Sequence, residues 1–84
     1  MPAKASDEQV ARIRMEGWSL TELALRAGVH RATAARWRMD DYAGMPEHTA
    51  DALIRQADGV DPLPAIAIAA IHRLTARRVH HDRA

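Results

Sequence analysis

The segment LTELALRAGVHRATAARWR, residues 20–38, carries the clearest local structural signals of the sequence. It reads as two short helical segments separated by Gly28. Ser19 and Glu22 have the spacing of a capping box at the start of a helix, and glycine is the usual residue at a helix end. The stretch therefore predicts one helix that ends at Gly28, a short turn, and a second helix from about Arg31 to Met39.

The second of these helices has two unlike faces when it is drawn at 100° per residue. Its core side carries Thr33, Ala34 and Trp37, with Trp37 as the anchor. The opposite arc, roughly 140° wide, combines small side chains with arginines. Its members are Arg31, Ala32, Ala35, Arg36 and Met39. Because short side chains let a helix approach base edges and arginine binds guanine and phosphate, this face suits the major groove of DNA.

Charge is distributed unevenly along the chain, although the net charge is only +1. Every charged residue between Leu23 and Met39 is an arginine, namely Arg26, Arg31, Arg36 and Arg38. The acidic residues are concentrated on either side of that segment. A face that only has to be solvated mixes both signs, so the segregation favours a polyanionic partner.

The whole 84-residue chain predicts one small all-helical domain with five helices. Beyond the two central helices, capping residues and prolines predict helices at about Asp7 to Glu16, Pro46 to Ala57 and Pro62 to Arg78, the last with Asp61 as its cap. We expect residues 1–6 to be a flexible tail, residues 7–60 to form the DNA-binding domain, and residues 61–84 to form a C-terminal helix with a frayed end.

Several classes of function find no support in the sequence. The chain has no cysteine and no apolar run long enough for a signal peptide or a membrane span, so we expect a cytoplasmic protein without disulfides. His72, His80 and His81 lack a carboxylate or thiolate partner on the same face, so we expect no metal site. No nucleophile with a base, paired carboxylates or phosphate-binding loop is evident, so we predict neither an enzyme nor a cofactor or small-molecule ligand.

The central stretch resembles the helix-turn-helix DNA-binding domains of Cro/XRE (lambda repressor-like) type in phage and bacterial repressors. The residues that match are Ala24, Gly28, Val29, Ala34 and Trp37. They stand where that family has a small residue in its second helix, the turn glycine, a buried turn hydrophobe and two buried recognition-helix positions. The resemblance covers about Ser6 to Ala57 and extends in size and layout to small phage regulators, including those that accompany anti-CRISPR genes.

Two positions depart from that family. Leu20 stands where many members have a phosphate-binding glutamine, and His30 stands where a helix-capping serine is usual. The resemblance implies a dimeric repressor, autorepressing in its operon, that reads an inverted-repeat operator in double-stranded DNA with its third helix in the major groove.

The residues assign the DNA contacts as follows. We expect base contacts from Arg31, Ala32, Ala35 and Arg36, which lie on the outward arc. We expect phosphate contacts from Ser19, Thr21, Arg26, His30 and Arg38. Arg26 has a structural alternative, since it also stands four residues after Glu22. A protonated His30 beside a phosphate predicts affinity that rises as pH falls.

The fifth helix predicts a homodimer. Its apolar stripe, roughly 140° wide, is broadened by Ile68, which is more than one face packed on a small domain needs. We therefore expect Leu25, Ile68 and Ile71 to lie between subunits. The alternative is that this helix only closes the core of one chain.

Two other functions remain open from the sequence. One is a helical module that binds a protein partner and never touches DNA. The other is a homeodomain-like DNA-binding accessory of a recombinase, because the same small-residue, glycine and aromatic spacing occurs in such domains.

Overall fold

A computed structural model describes the backbone of residues 3–82 and the side chains of residues 3–65 and 67–74. The chain is all-helical, as the sequence predicts. Within the described backbone, five helices follow one another: α1 (Asp7–Glu16), α2 (Leu20–Ala27), α3 (Arg31–Met39), α4 (Glu47–Ala57) and α5 (Ala65–Asp82). The predicted bounds of α1 and α3 are confirmed, as is the end of α2 before Gly28.

The core is built around α2, which packs against α3, α4 and α5, while α1 packs against α4. The largest of its fully buried side chains are Ile13, Leu23, Met45 and Leu53. Trp18 and Trp37 are also buried, which confirms the predicted burial of Trp37. Burying an aliphatic side chain of this size contributes about 1.5–3 kcal/mol relative to exposing it, so these contacts hold the helices together.

An ion-pair network joins α1 to the end of α4. Arg12 Nη2 lies 2.7 Å from Asp58 Oδ1 and 3.0 Å from Glu16 Oε1. The hydrogen bond to the Asp58 carboxylate, and then that to Glu16, raise the pKa of the Arg12 guanidinium. Because these groups are largely exposed, the network orients the two helices more than it stabilises them.

The starts of α4 and α5 differ from the prediction. Pro46 is extended and precedes α4, which begins at Glu47. Asp61 does not cap α5; its carboxylate accepts a 2.9 Å hydrogen bond from Arg55 Nε. The first hydrogen bond of α5 is accepted by the carbonyl of Pro64, the residue before the helix, to which Ala67 N donates at 2.8 Å. The helical conformation is disfavoured for a residue that precedes proline. Leu63 precedes Pro64, so α5 begins only after that proline.

The end of α5 also differs, since the helix continues to Asp82 rather than ending near Arg78. No glycine or proline follows Arg78 in the sequence, so nothing local stops the helix there.

Part of the segment expected as a flexible tail, from Ala3 onward, makes backbone hydrogen bonds with the start of α4 and with Met45 before it. Ala5 N donates to the Met45 carbonyl at 2.9 Å, and Glu47 N donates to the Ala3 carbonyl at 2.8 Å. Pro46 supplies no side-chain cap to α4, so the Ala3 carbonyl satisfies an amide that the helix start leaves unpaired. Residues 1 and 2 lie outside the described residues.

The turn after α3 stores backbone strain. Tyr42 N donates to the Trp37 carbonyl at 2.6 Å and Asp41 N to the Arg38 carbonyl at 3.1 Å, the hydrogen-bond pattern that ends helices with a left-handed residue. Asp41 (φ 54°) and Tyr42 (φ 66°) both occupy that conformation, although neither is glycine. Tyr42 is nevertheless buried, and Asp41 forms a 2.6 Å ion pair with Arg14.

No helix within residues 3–82 is long and apolar enough to cross a membrane.

The strained turn gives a stability prediction. Asp41→Val places a β-branched side chain in a left-handed conformation and should lower the free energy of unfolding by about 1–3 kcal/mol. Asp41→Asn is the matched control, because asparagine tolerates this conformation and loses only an exposed ion pair, at a cost below about 1 kcal/mol. Urea denaturation of both variants measures the difference; equal losses would show that the ion pair, not the backbone, governs this position.

Candidate nucleic-acid interface

The turn between α2 and α3 is fixed by backbone hydrogen bonds. Gly28 has φ 68°, a conformation that most side chains resist. Its N–H donates to the Leu25 carbonyl at 3.3 Å, and Val29 N donates to the Ala24 carbonyl at 3.1 Å. These bonds close α2 and release the chain directly into α3, so the two helices are held in a set orientation.

The two faces of α3 are placed as the helical wheel predicts. Ala34 and Trp37 are buried, and Ala34 has no exposed surface. The outward arc lies in solvent: Arg31, Ala32, Arg36 and Met39 are exposed and Ala35 is half-buried. The four expected base-contact residues therefore lie on one accessible face.

The arginines of α1–α4 divide into two groups. Those outside α3 each form an ion pair: Arg12, Arg14, Arg26 and Arg55. Those on α3, namely Arg31, Arg36 and Arg38, are exposed and make no ion pair with any side chain that the structure describes. Carboxylates therefore pair with the other arginines of α1–α4, whereas the positive charge of the α3 arginines is left uncompensated by the described side chains.

The start of α2 lies beside another cation. Ser19 is exposed, and its hydroxyl caps α2 by accepting from Glu22 N at 3.1 Å. Thr21 is exposed and lines a cleft with Arg73 of α5. Sequence reasoning missed Arg73 as a neighbour of Thr21, because only the packing of α5 on α2 brings them together. No local pattern in the sequence indicates that these two residues line the same cleft.

Arg26, an expected phosphate contact, is mostly buried and paired within the chain. Its guanidinium lies 3.1 Å from Glu22 Oε2 and 4.8 Å from the centroid of the Trp18 ring. Only 15% of the Arg26 side chain and 5% of the Glu22 side chain are exposed. Breaking a buried pair of this kind costs about 3–5 kcal/mol. A phosphate contact that separated Arg26 from Glu22 would have to offset that cost.

His30 caps α3, at a position where serine is the more usual capping residue. Its Nδ1 accepts a 3.1 Å hydrogen bond from Ala32 N at the start of α3. A nitrogen that accepts carries no proton, so this geometry requires the neutral ring with its hydrogen on Nε2. The residue is exposed, which leaves the Nε2–H able to donate to a phosphate. Because Nδ1 is occupied by the cap, a phosphate contact from His30 would use Nε2.

One of the three residues assigned to a dimer interface is buried within the single chain. Ile71 is 3% exposed in the single chain, because it packs between α5 and the rest of the domain. Leu25 is half-buried and lines the cleft toward Ala70 and Leu74 of the same chain. Ile68 is 39% exposed and remains available to a partner. The wheel could not distinguish the face of α5 that meets α2 from a face that meets another subunit.

Within the described part of the chain, no three histidine, cysteine or carboxylate side chains come together as a metal site would require. His72 is exposed, while the side chains of His80 and His81 lie outside the described residues. Comparisons with known protein families, curated proteins and solved structures give no match.

The cap at His30 is testable in the free protein. His30→Ala should lower the free energy of unfolding by about 1 kcal/mol, while His30→Asn, whose side chain also caps, should stay within about 0.5 kcal/mol of the wild type. Nitrogen-detected NMR of the neutral ring should find the proton on Nε2. A proton on Nδ1 would contradict the capping geometry.

Proposed function

We propose that this protein is a sequence-specific DNA-binding regulator that represses transcription by occupying double-stranded DNA as a homodimer. The observation that carries the proposal is the set of three exposed, unpaired arginines on α3, in a chain that pairs every other arginine of α1–α4 with a carboxylate. A helix held out by a tight turn, with small side chains between its arginines, fits the major groove.

The contacts divide by chemistry. Arg31 and Arg36, with the methyl groups of Ala32 and Ala35, read base edges on the outward face of α3. Phosphates are held around that face by exposed groups: Ser19, Thr21, His30, Arg38 and Arg73. A second copy of the chain places a second α3 on the next turn of the duplex, about 34 Å away, so the operator is an inverted repeat. Repression, including autorepression, follows when such a site overlaps a promoter.

Two rival functions are separated from this one by experiment. A protein-interaction module predicts no gel shift with random DNA at low salt, whereas a DNA-binding protein shifts it through phosphate contacts. Selection of binding sites from randomised DNA then separates a dimeric repressor, which yields an inverted repeat, from a homeodomain-like accessory, which yields an asymmetric site.

The division between base and phosphate contacts predicts different mutant behaviour. Arg36→Ala should cost about 1–3 kcal/mol on the selected site and relax sequence preference there, because a base contact is lost. Arg38→Ala should weaken binding to all sequences alike and reduce the slope of log affinity against log salt by about one. Fluorescence anisotropy on selected and random duplexes measures both. Equal losses on both duplexes for Arg36→Ala would refute its role in base readout.

The homodimer has its own test at Ile68. Ile68→Glu places a charge in the proposed subunit interface and should yield a folded monomer with reduced operator affinity, measured by sedimentation and anisotropy. Val60→Glu is a matched control, since Val60 is 63% exposed and lies outside α5. A wild-type protein that sediments as a monomer at micromolar concentration would contradict the dimer.

A further inference from the structure

An apolar cleft opens between the start of α2 and the outward face of α3. It is lined by Leu20, Ala35, Arg38 and Met39. Leu20 and Ala35 are half-buried, whereas Met39 is 86% exposed. A single exposed methionine is ordinary on a protein surface. Met39, however, shares a cleft with Leu20 of α2 and with Ala35, which lies on the same face of α3 as Arg31 and Arg36.

The chemistry of this cleft limits what it can receive. Its walls are apolar, while Arg38 lies at the cleft and Arg36 is exposed on the same helix, with no acidic residue between positions 23 and 39. Apolar walls and a cationic edge complement an apolar group attached to a polyanion. In the major groove of DNA, the base edge that offers such a group is thymine, through its C5-methyl.

We propose that Leu20, Ala35 and Met39 receive the C5-methyl group of one thymine in each half-site, while Arg38 binds a phosphate beside it. This inference rests on the proposed function and adds a determinant of sequence preference to it. It also explains how leucine serves at position 20: the side chain contributes to base recognition through apolar contact and makes no phosphate contact there.

Replacement of thymine by deoxyuridine removes this methyl group and leaves base pairing intact. Each thymine of the selected half-site is replaced in turn, and affinity is measured by anisotropy. One position should lose about fourfold in affinity, as expected for one buried carbon of this kind. A half-site without thymine, or one in which no replacement changes the affinity, would overturn the proposal.

Protein variants identify the cleft as the source of the effect. Met39→Ala should bind the thymine and deoxyuridine duplexes with nearly equal affinity. Met15→Ala is the matched control, because Met15 is 83% exposed on α1 and does not line the cleft, so this variant should keep the fourfold difference. Circular dichroism checks that both variants are folded. A fourfold difference that persists in Met39→Ala would assign the methyl contact elsewhere and overturn the proposal.

The two proposals fail in different ways. A protein that binds no DNA at low salt, or binds all sequences equally, would refute the proposed function and this inference with it. Sequence-specific binding that ignores the thymine methyl group would refute this inference alone.

Discussion

The packing of α3 on α2 through small side chains is the constraint on which the rest of the structure depends. Ala34 has no exposed surface and Ala24 is 7% exposed, so both helices bury alanine in the shared core. Small side chains permit a close approach between helices, and Trp37 is buried in the same core cluster. Because Ala34 and Trp37 lie in the core, the opposite side of α3, which carries the arginines, faces outward.

Much of the fold was predictable because its signals are local. The Ser6–Gln9 capping box is present, and Gly28 ends α2 through left-handed backbone. The burial of Trp37 and the exposure of Arg36 follow from helical periodicity alone. These features depend on residues three or four positions apart, so one segment of sequence contains all the information they need.

The features that the sequence did not predict depend on contacts between distant segments. Ile71 and Ile68 look equivalent as apolar residues of α5, and only the position of α2 decides that the first is buried and the second half exposed. The pairing of Ala3 with Glu47 joins residues 44 positions apart. The pairing of Arg26 with Glu22 is local, but the position of Arg26 over the Trp18 ring depends on how α1 and α2 are joined and was not predicted.

The hydrogen bonds at the two ends of α4 connect the first residues of the chain to the turn before α3. The Ala3 carbonyl accepts from the first amide of α4, and Gln56 Nε2 near its last turn donates to the Arg26 carbonyl at 3.0 Å. The Arg26 carbonyl is two residues from Gly28. Helix α4 is therefore a common support for the segment around Ala3 and for the backbone that precedes the exposed arginines of α3.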